Sequence, residues 1–216
     1  MVNPRPETVH VLDNHSLVRH HMSMLRDVST APAAFRQHVK ILSLLLLAEA
    51  TRDLRMRDCA VTTPMEAMQG QQLAGRIAAV PILRAGLGMT AAVTELIPDV
   101  EVRHLGFYRD EQTAQPVRYY DKLPAGAPAD VALLLDPMLA TGGSACMAIE
   151  TLREWGVGRI VMLSIIAAPE GIRLVTERFP DVIIYTCVID RELNDRRFIL
   201  PGLGDAGDRM FNTVGE

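Results

Sequence analysis

The sequence predicts an α/β protein: a doubly wound, mainly parallel sheet with an N-terminal helical part and a β-hairpin flap. Three observations predict it. Four short apolar runs lack polar alternation, so both of their faces are covered, as in parallel strands between helical layers. Helix-forming stretches with recognisable start and stop signals lie between those runs. Glycine-rich loops follow the runs, where ligands bind in open α/β sheets.

The apolar runs are Ile77 to Leu83, Val131 to Leu135, Ile160 to Ile166 and Val182 to Ile189. Upstream, Ala33 to Arg57 contains neither Gly nor Pro and is rich in Leu and Ala, which predicts one long helix packed on a larger body. Its greasiest part, Ile41 to Ala48, is interrupted by Ser43 and is too short to span a bilayer. Gly88 to Leu96 reads as a helix that ends before Pro98. Ser144 to Trp155 reads as a helix closed by Gly156, and Pro169 to Phe179 as one opened by Pro169 and stopped by Pro180. Val102 to Lys122 is different: two β-prone pieces flank a polar middle, the pattern of a hairpin. Its Phe107, Tyr108, Arg109, Arg118, Tyr119 and Tyr120 suit a lid over an anion.

Composition bounds the function. With 216 residues, no internal repeat and no Gly/Ser linker, one domain over 1–216 is expected, given about 150 residues per domain. Apolar residues make up 49% and charged residues 22%, which excludes a disordered chain. The net charge of −4 gives no general grip on nucleic acid. An anionic ligand must therefore be met by local charge, backbone amides or metal. Cys59, Cys146 and Cys187 form no C-x-x-C pair, so neither a disulfide framework nor a zinc site is expected, and a cytoplasmic setting fits best. Met1 to Asn14 lacks the apolar core of a signal peptide. His15, His20 and His21 do not have the spacing of a recognised metal site and read as helix-face residues, and His104 as a structural residue on a strand.

The most informative stretch is VALLLDPMLATGGS, Val131 to Ser144. An apolar strand runs into Asp136, then a small-residue loop, then a helix. Thr141, Gly142, Gly143 and Ser144 turn tightly and present amides at a helix N-terminus, which suits a phosphate. No lysine follows the glycines, so this is not an NTPase loop, and the spacing is not that of a dinucleotide fingerprint. A carboxylate at Asp136 suits two sugar hydroxyls. One phosphorylated ribose satisfies both features, whereas the alternative is a plain turn capping a helix.

DPMLATGGS resembles the phosphoribosyl-pyrophosphate (PRPP) loop of type I phosphoribosyltransferases, and Leu135 before Asp136 leaves one acid, as in the uracil-specific branch. VPILRAGLGM (Val80 to Met89) and ILPGLGDAGDR (Ile199 to Arg209) are similar to that branch as well. LAEATRDL (Leu47 to Leu54), LGFYRDE (Leu105 to Glu111) and AAPEGI (Ala167 to Ile172) agree. The resemblance implies transfer of phosphoribose from PRPP to uracil, giving UMP and diphosphate. It implies PRPP contacts from Arg84, Arg109, Asp136, Pro137, Met138, Leu139, Ala140, Thr141, Gly142, Gly143, Ser144 and Asp205. It assigns the base to Ile199, Gly204, Asp205 and Ala206, and the catalytic roles to Arg84, Asp136 and Asp205. Magnesium would travel mainly with the substrate, with Asp205 as a further ligand. A homo-oligomer (dimer or tetramer) and a GTP effector are implied too, with no nucleic acid or membrane as partner. Arg197 and Phe198 stand where relatives more often have glycine and tyrosine, and Ala60 to Gly75 carries no motif. The competing functions are transfer to another base, such as a purine, and a nucleotide-sensing RNA-binding regulator.

Overall fold

The structure is a computed structural model that describes residues 6–109, 116–121 and 123–213. Its elements run β1 (Val9–Val11), α1 (Ser16–Arg26), α2 (Pro32–Ala50), β2 (Met56–Thr62), β3 (Ala67–Leu73), β4 (Ile77–Leu83), α3 (Leu87–Leu96), β5 (Glu101–Val102), β6 (Leu105–Arg109) and β7 (Pro116–Asp121). They continue with β8 (Val131–Leu135), β9 (Met138–Leu139), α4 (Gly143–Trp155), β10 (Arg159–Ala167), α5 (Pro169–Arg178), β11 (Ile183–Ile189), β12 (Glu192–Leu193), β13 (Ile199–Leu200) and α6 (Ala206–Phe211).

The central sheet has the order β1-β11-β10-β8-β4-β6-β7. Every pairing along it is parallel except the β6–β7 hairpin. The absence of polar alternation in the sequence has a direct cause. Leu133, Leu135, Val161 and Leu163 point into a core shared with α1, α2, α3 and α6. Ala132, Leu134, Ile160 and Met162 point into a second core under α4 and α5. Burial on both faces removes any reason for a polar residue in the strand.

The four expected strands form within a residue of their expected ends, and the expected flap hairpin is present as β6–β7. Gly156 closes α4 with φ +97°. The long helix does not extend to Arg57. It stops at Ala50, where the Thr51 amide and hydroxyl both donate to the Leu47 carbonyl. Asp53 then accepts two hydrogen bonds from Arg159, at 2.8 and 2.9 Å, which ties the turn to the start of β10. Residues beyond it pair in seven-residue register as the antiparallel hairpin β2–β3, which has no counterpart among the elements expected from the sequence. His104 lies between β5 and β6 rather than on a strand. His15 caps α1 by accepting from the Leu17 amide, and His21 instead meets His38 of α2. Among the described residues, no helix is long and apolar enough to cross a membrane.

Candidate active site

Strands β4 and β8 are parallel neighbours with Pro81 opposite Leu135, so their following loops leave the same end of the sheet. Gly86 lets those loops meet: a Cβ there would lie 2.4 Å from the Leu135 carbonyl oxygen and 2.7 Å from that of Ile82. The peptide between Leu83 and Arg84 is cis, as is that between Leu200 and Pro201.

Asp136 follows β8 immediately. Its amide donates to the Leu163 carbonyl at 3.2 Å, and its carbonyl accepts from the Ser164 hydroxyl at 2.7 Å. The carboxylate accepts the Met138 amide at 3.3 Å. The residue keeps some exposed surface towards the cleft, but protein surrounds the carboxyl group, and burial pushes its pKa up to about 7. The Met138 hydrogen bond opposes that shift only in part.

The chain then crosses to β10. The Pro137 carbonyl accepts from the Ile165 and Ile166 amides at 3.0 Å, and the Leu139 carbonyl from the Ala168 amide at 2.8 Å. Gly171, at the start of α5, presses on the same loop: a Cβ there would sit 2.4 Å from the Ala140 carbonyl oxygen. Gly142 takes φ +84° and starts α4, whose first intrahelical bond runs from the Cys146 amide to the Gly142 carbonyl at 2.9 Å. The amides of Gly143, Ser144 and Ala145 precede that bond and stand at the positive end of the helix. Gly143 makes one long contact, 3.5 Å, to the Thr141 hydroxyl.

The second glycine-rich loop enters from β13. Gly202 and Gly204 adopt φ of +66° and +80°. Asp205 caps α6 by accepting the Asp208 amide at 2.9 Å. Arg84 Nη2 donates to Asp208 Oδ1, also at 2.9 Å. The hydrogen bond from Thr213, followed by that from Arg84, holds the Asp208 carboxyl below its ordinary range.

These loops enclose a cleft of about 220 Å³ whose lining includes Arg84, Phe107, Asp136, Ser144, Asp205 and Gly207. Four predicted residues therefore meet: Arg84, Asp136, Ser144 and Asp205. The remaining predicted residues of this loop, Pro137 to Gly143, run beside it; the side chain of Leu139 is buried, which leaves its backbone as the available contact. Ile199, Gly204 and Ala206 do not line this cleft, and the side chains of Ile199 and Ala206 are buried. Arg109 ends β6, and its side chain lies outside the described residues, as do residues 110–115. A larger recess of about 930 Å³, between α2 and β1–β11, contains none of the predicted site residues.

Sequence reasoning left Asp208 out of the site, although it lies inside the GLGDAGDR run. It also missed Ser164 behind Asp136, Arg26 and Asp190, which hold the second loop from outside, and Arg209, which holds it from α6. Local patterning carries no signal for a partner such as Arg26, 176 residues from Gly202.

A family model described as uracil phosphoribosyltransferase matches residues 11–213. A Roseiflexus castenholzii protein named uracil phosphoribosyltransferase is 52% identical over 202 residues, which is 94% of this chain and 97% of that protein. The chain belongs to the uracil phosphoribosyltransferase family. A relative of the same name from Campylobacter curvus is 49% identical over 203 residues, covering 94% of this chain and 98% of its own. The solved AQ2163 protein of Aquifex aeolicus superposes with a TM-score of 0.89 at 34% identity, covering 96% of this chain and 99% of that one. Adenine phosphoribosyltransferase from Leishmania donovani shares the fold alone, with a TM-score of 0.60 at 14% identity over 91% of this chain and 88% of its own. Within the uracil phosphoribosyltransferase family, then, this chain sets one acid, Asp136, at the end of β8, opposite Arg84 at the end of β4.

Proposed function

We propose that this chain transfers the 5-phosphoribosyl group from PRPP to N1 of uracil. A bond forms between uracil N1 and ribose C1, the C1–O bond to diphosphate breaks, and N1 loses its proton; the products are UMP and diphosphate. One observation carries the reading: Asp136, Ser144, Arg84 and Asp205, from three separate loops, line a single cleft at the carboxyl end of the sheet. Family membership supports uracil over other bases and over an RNA-binding regulator.

In this reading the 5-phosphate sits on the amides of Gly143 to Ala145, with the hydroxyls of Thr141 and Ser144 as added donors. Asp136 accepts from the ribose hydroxyls. Arg84 turns from Asp208 to the diphosphate, where its planar fork matches two phosphate oxygens. Arg109 of the flap is the second arginine assigned to that substrate. The transition state carries positive charge on the ribose and growing negative charge on the leaving group, so orientation and electrostatic stabilisation dominate catalysis. Uracil presents a carbonyl, N–H, carbonyl edge to the backbone around Ile199 and Gly204 to Ala206. Cytosine would turn an amino group towards a donor and leave a buried group unpaired.

Magnesium fits the donor set. Asp205 offers an exposed hard-oxygen ligand at the cleft, and magnesium is commonly held by one or two carboxylates plus substrate phosphates. When bound with the diphosphate, the ion would supply charge neutralisation at the leaving group.

We further read residues 1–216 as one phosphoribosyltransferase domain that works as a homo-oligomer, with GTP as effector. The apolar side chains exposed on β2–β3 support the oligomer. The free cysteines Cys59, Cys146 and Cys187 support a reducing, cytoplasmic setting.

The test is UMP formation with magnesium across uracil, cytosine, hypoxanthine and adenine. Uracil alone is expected to react. Use of hypoxanthine with uracil ignored would overturn the reading.

A further inference from the structure

We propose that the ion pair between Arg26 and Asp190 is the positioning device of the base loop and sets how tightly uracil binds. This inference rests on the function proposed above. Arg26 is the last residue of α1, and Asp190 follows β11 at the sheet's carboxyl end. The pair is bidentate, Nη1 to Oδ2 at 2.9 Å and Nη2 to Oδ1 at 2.5 Å. The Asp190 side chain is 4% exposed, so removing Arg26 would leave it buried without its partner. Its backbone is fixed as well, through its amide to the Ala167 carbonyl at 2.8 Å.

What marks this pair out is its hold on Gly202. Arg26 Nη1 donates to the Gly202 carbonyl at 2.7 Å, and the Gly202 amide donates to Asp190 Oδ2 at 2.9 Å. Both polar backbone groups of one loop residue are thus used by one ion pair. Gly202 stands between Ile199 and the Gly204 to Ala206 segment. Its φ is +66°, and a Cβ there would lie only 2.2 Å from the Ile199 carbonyl oxygen, so the position is restricted to glycine.

A return link comes from the loop. Arg209 donates to the Leu203 carbonyl at 2.8 Å, to the Asp27 carbonyl at 2.5 Å and to the Leu25 carbonyl, and its guanidinium lies 4.4 Å from the centroid of the Phe35 ring. Helix α1 and the base loop therefore exchange arginines. Recognition through main-chain groups tolerates little displacement, because a backbone donor cannot re-aim by changing rotamer. Anchoring Gly202 on both sides supplies that precision from residues that do not touch the base.

The experiment measures steady-state kinetics and thermal melting of Asp190→Asn and of the double variant Arg26→Met with Asp190→Leu. Asp190→Asn is expected to raise the KM for uracil about tenfold while the KM for PRPP moves less than about threefold. The double variant leaves no uncompensated buried charge, so it should recover most of the lost Tm. It still strips both anchors from Gly202, so its uracil KM should stay raised. A double variant whose uracil KM returns with its Tm would show a merely structural pair and overturn the inference; it carries this test even where Asp190→Asn does not fold. A wild-type KM for uracil in Asp190→Asn would overturn it equally. Wild-type protein that forms no UMP would instead overturn the proposed function, and this inference with it.

Discussion

Arg84 and Asp208 are 124 residues apart in the chain and 2.9 Å apart in the structure, joined by one Nη2 to Oδ1 hydrogen bond. More than half of the Arg84 side chain is exposed, and an exposed pair of this kind is worth at most about 1 kcal/mol. In the proposed function, an incoming diphosphate, with more charge and more acceptors than one carboxylate, would displace Asp208 from Arg84. Arg84→Ala is therefore expected to cut kcat/KM for PRPP about 100-fold or more while Tm shifts by only a few degrees. Asp208→Asn weakens the competing acceptor and should lower the KM for PRPP a few-fold. Wild-type kinetics in Arg84→Ala would remove this residue from the site.

Asp136 gives a pH signature. Its pKa is raised from 3.8 to about 7 by burial. Between those values the folded chain holds a proton that the unfolded chain has lost, so Asp136 makes stability fall as pH rises through that window. Asp136→Asn mimics the protonated carboxyl. Its Tm should match wild type near pH 4 and exceed it at pH 8. Activity should run the opposite way: kcat/KM for PRPP in wild type climbs through about pH 7 as the carboxylate forms. The variant should be about 100-fold slower at pH 8, having lost a charged acceptor for the ribose hydroxyls.

The sequence reveals what local pattern determines. Strands β4 and β8 are legible because burial on both faces makes them uniformly apolar, and the loop from Asp136 to Ser144 because glycines mark its turn into α4. The end of α2 is not legible: no Gly or Pro interrupts the chain there, the helix closes on Thr51 bonding back to Leu47, and the turn that follows is tied down by Arg159, 106 residues from Asp53. Hairpin β2–β3 is hidden for a related reason, since its side chains are mostly exposed and show no apolar alternation. In the site, Arg84 and Asp136 stand out at strand ends. Arg26 and Asp190 do not, because an ion pair across 164 residues leaves no periodicity in either segment.

Gly171 tests how rigidly the proposed phosphate loop must be held. A Cβ at this position would meet two loop carbonyl oxygens, of Ala140 at 2.4 Å and Leu139 at 3.0 Å, and backbone cannot swing aside as a side chain can. Gly171→Ala should cost about 1–3 kcal/mol of stability and raise the KM for PRPP. Gly158→Ala is the control, because its Cβ would lie 3.5 Å from the nearest atom, an ordinary contact. Equal kinetics in the two variants would mean that the loop's position against α5 is immaterial to PRPP.

The exposed hairpin carries the oligomer prediction. Among the described residues, strand β2 pairs with β3 alone, and an isolated two-stranded ribbon is marginal in water. It displays Met56, Val61, Met68 and Leu73, and Met65 at its turn is 92% exposed. Apolar surface of this extent suits burial against another copy. Analytical ultracentrifugation should give an oligomer for wild type and a smaller species for Met68→Glu. A monomeric wild type would contradict the proposal.

His21 and His38 join α1 to α2 through their Nδ1 atoms, 2.9 Å apart, with the His20 ring 4.9 Å from that of His21. Only one Nδ1 of a neutral pair need carry a proton, so the hydrogen bond forms between neutral rings and is lost when both are charged. Burial, then His38 and His20, pulls the pKa of His21 below 6.5, and burial, then His20, does the same to His38. The unfolded chain therefore takes up protons first as pH falls past 6.5, and stability conferred by the neutral pair is present above that value and drains away below it. His38→Gln keeps an acceptor for a neutral His21 but removes one titrating group and its repulsion. Denaturant melts at pH 7 and pH 5 should show a smaller loss of stability in the variant than in wild type. Equal losses would mean that the histidines do not govern the acid limb, leaving it to carboxylates such as Asp208, whose lowered pKa also makes stability fall with pH but in a more acidic window.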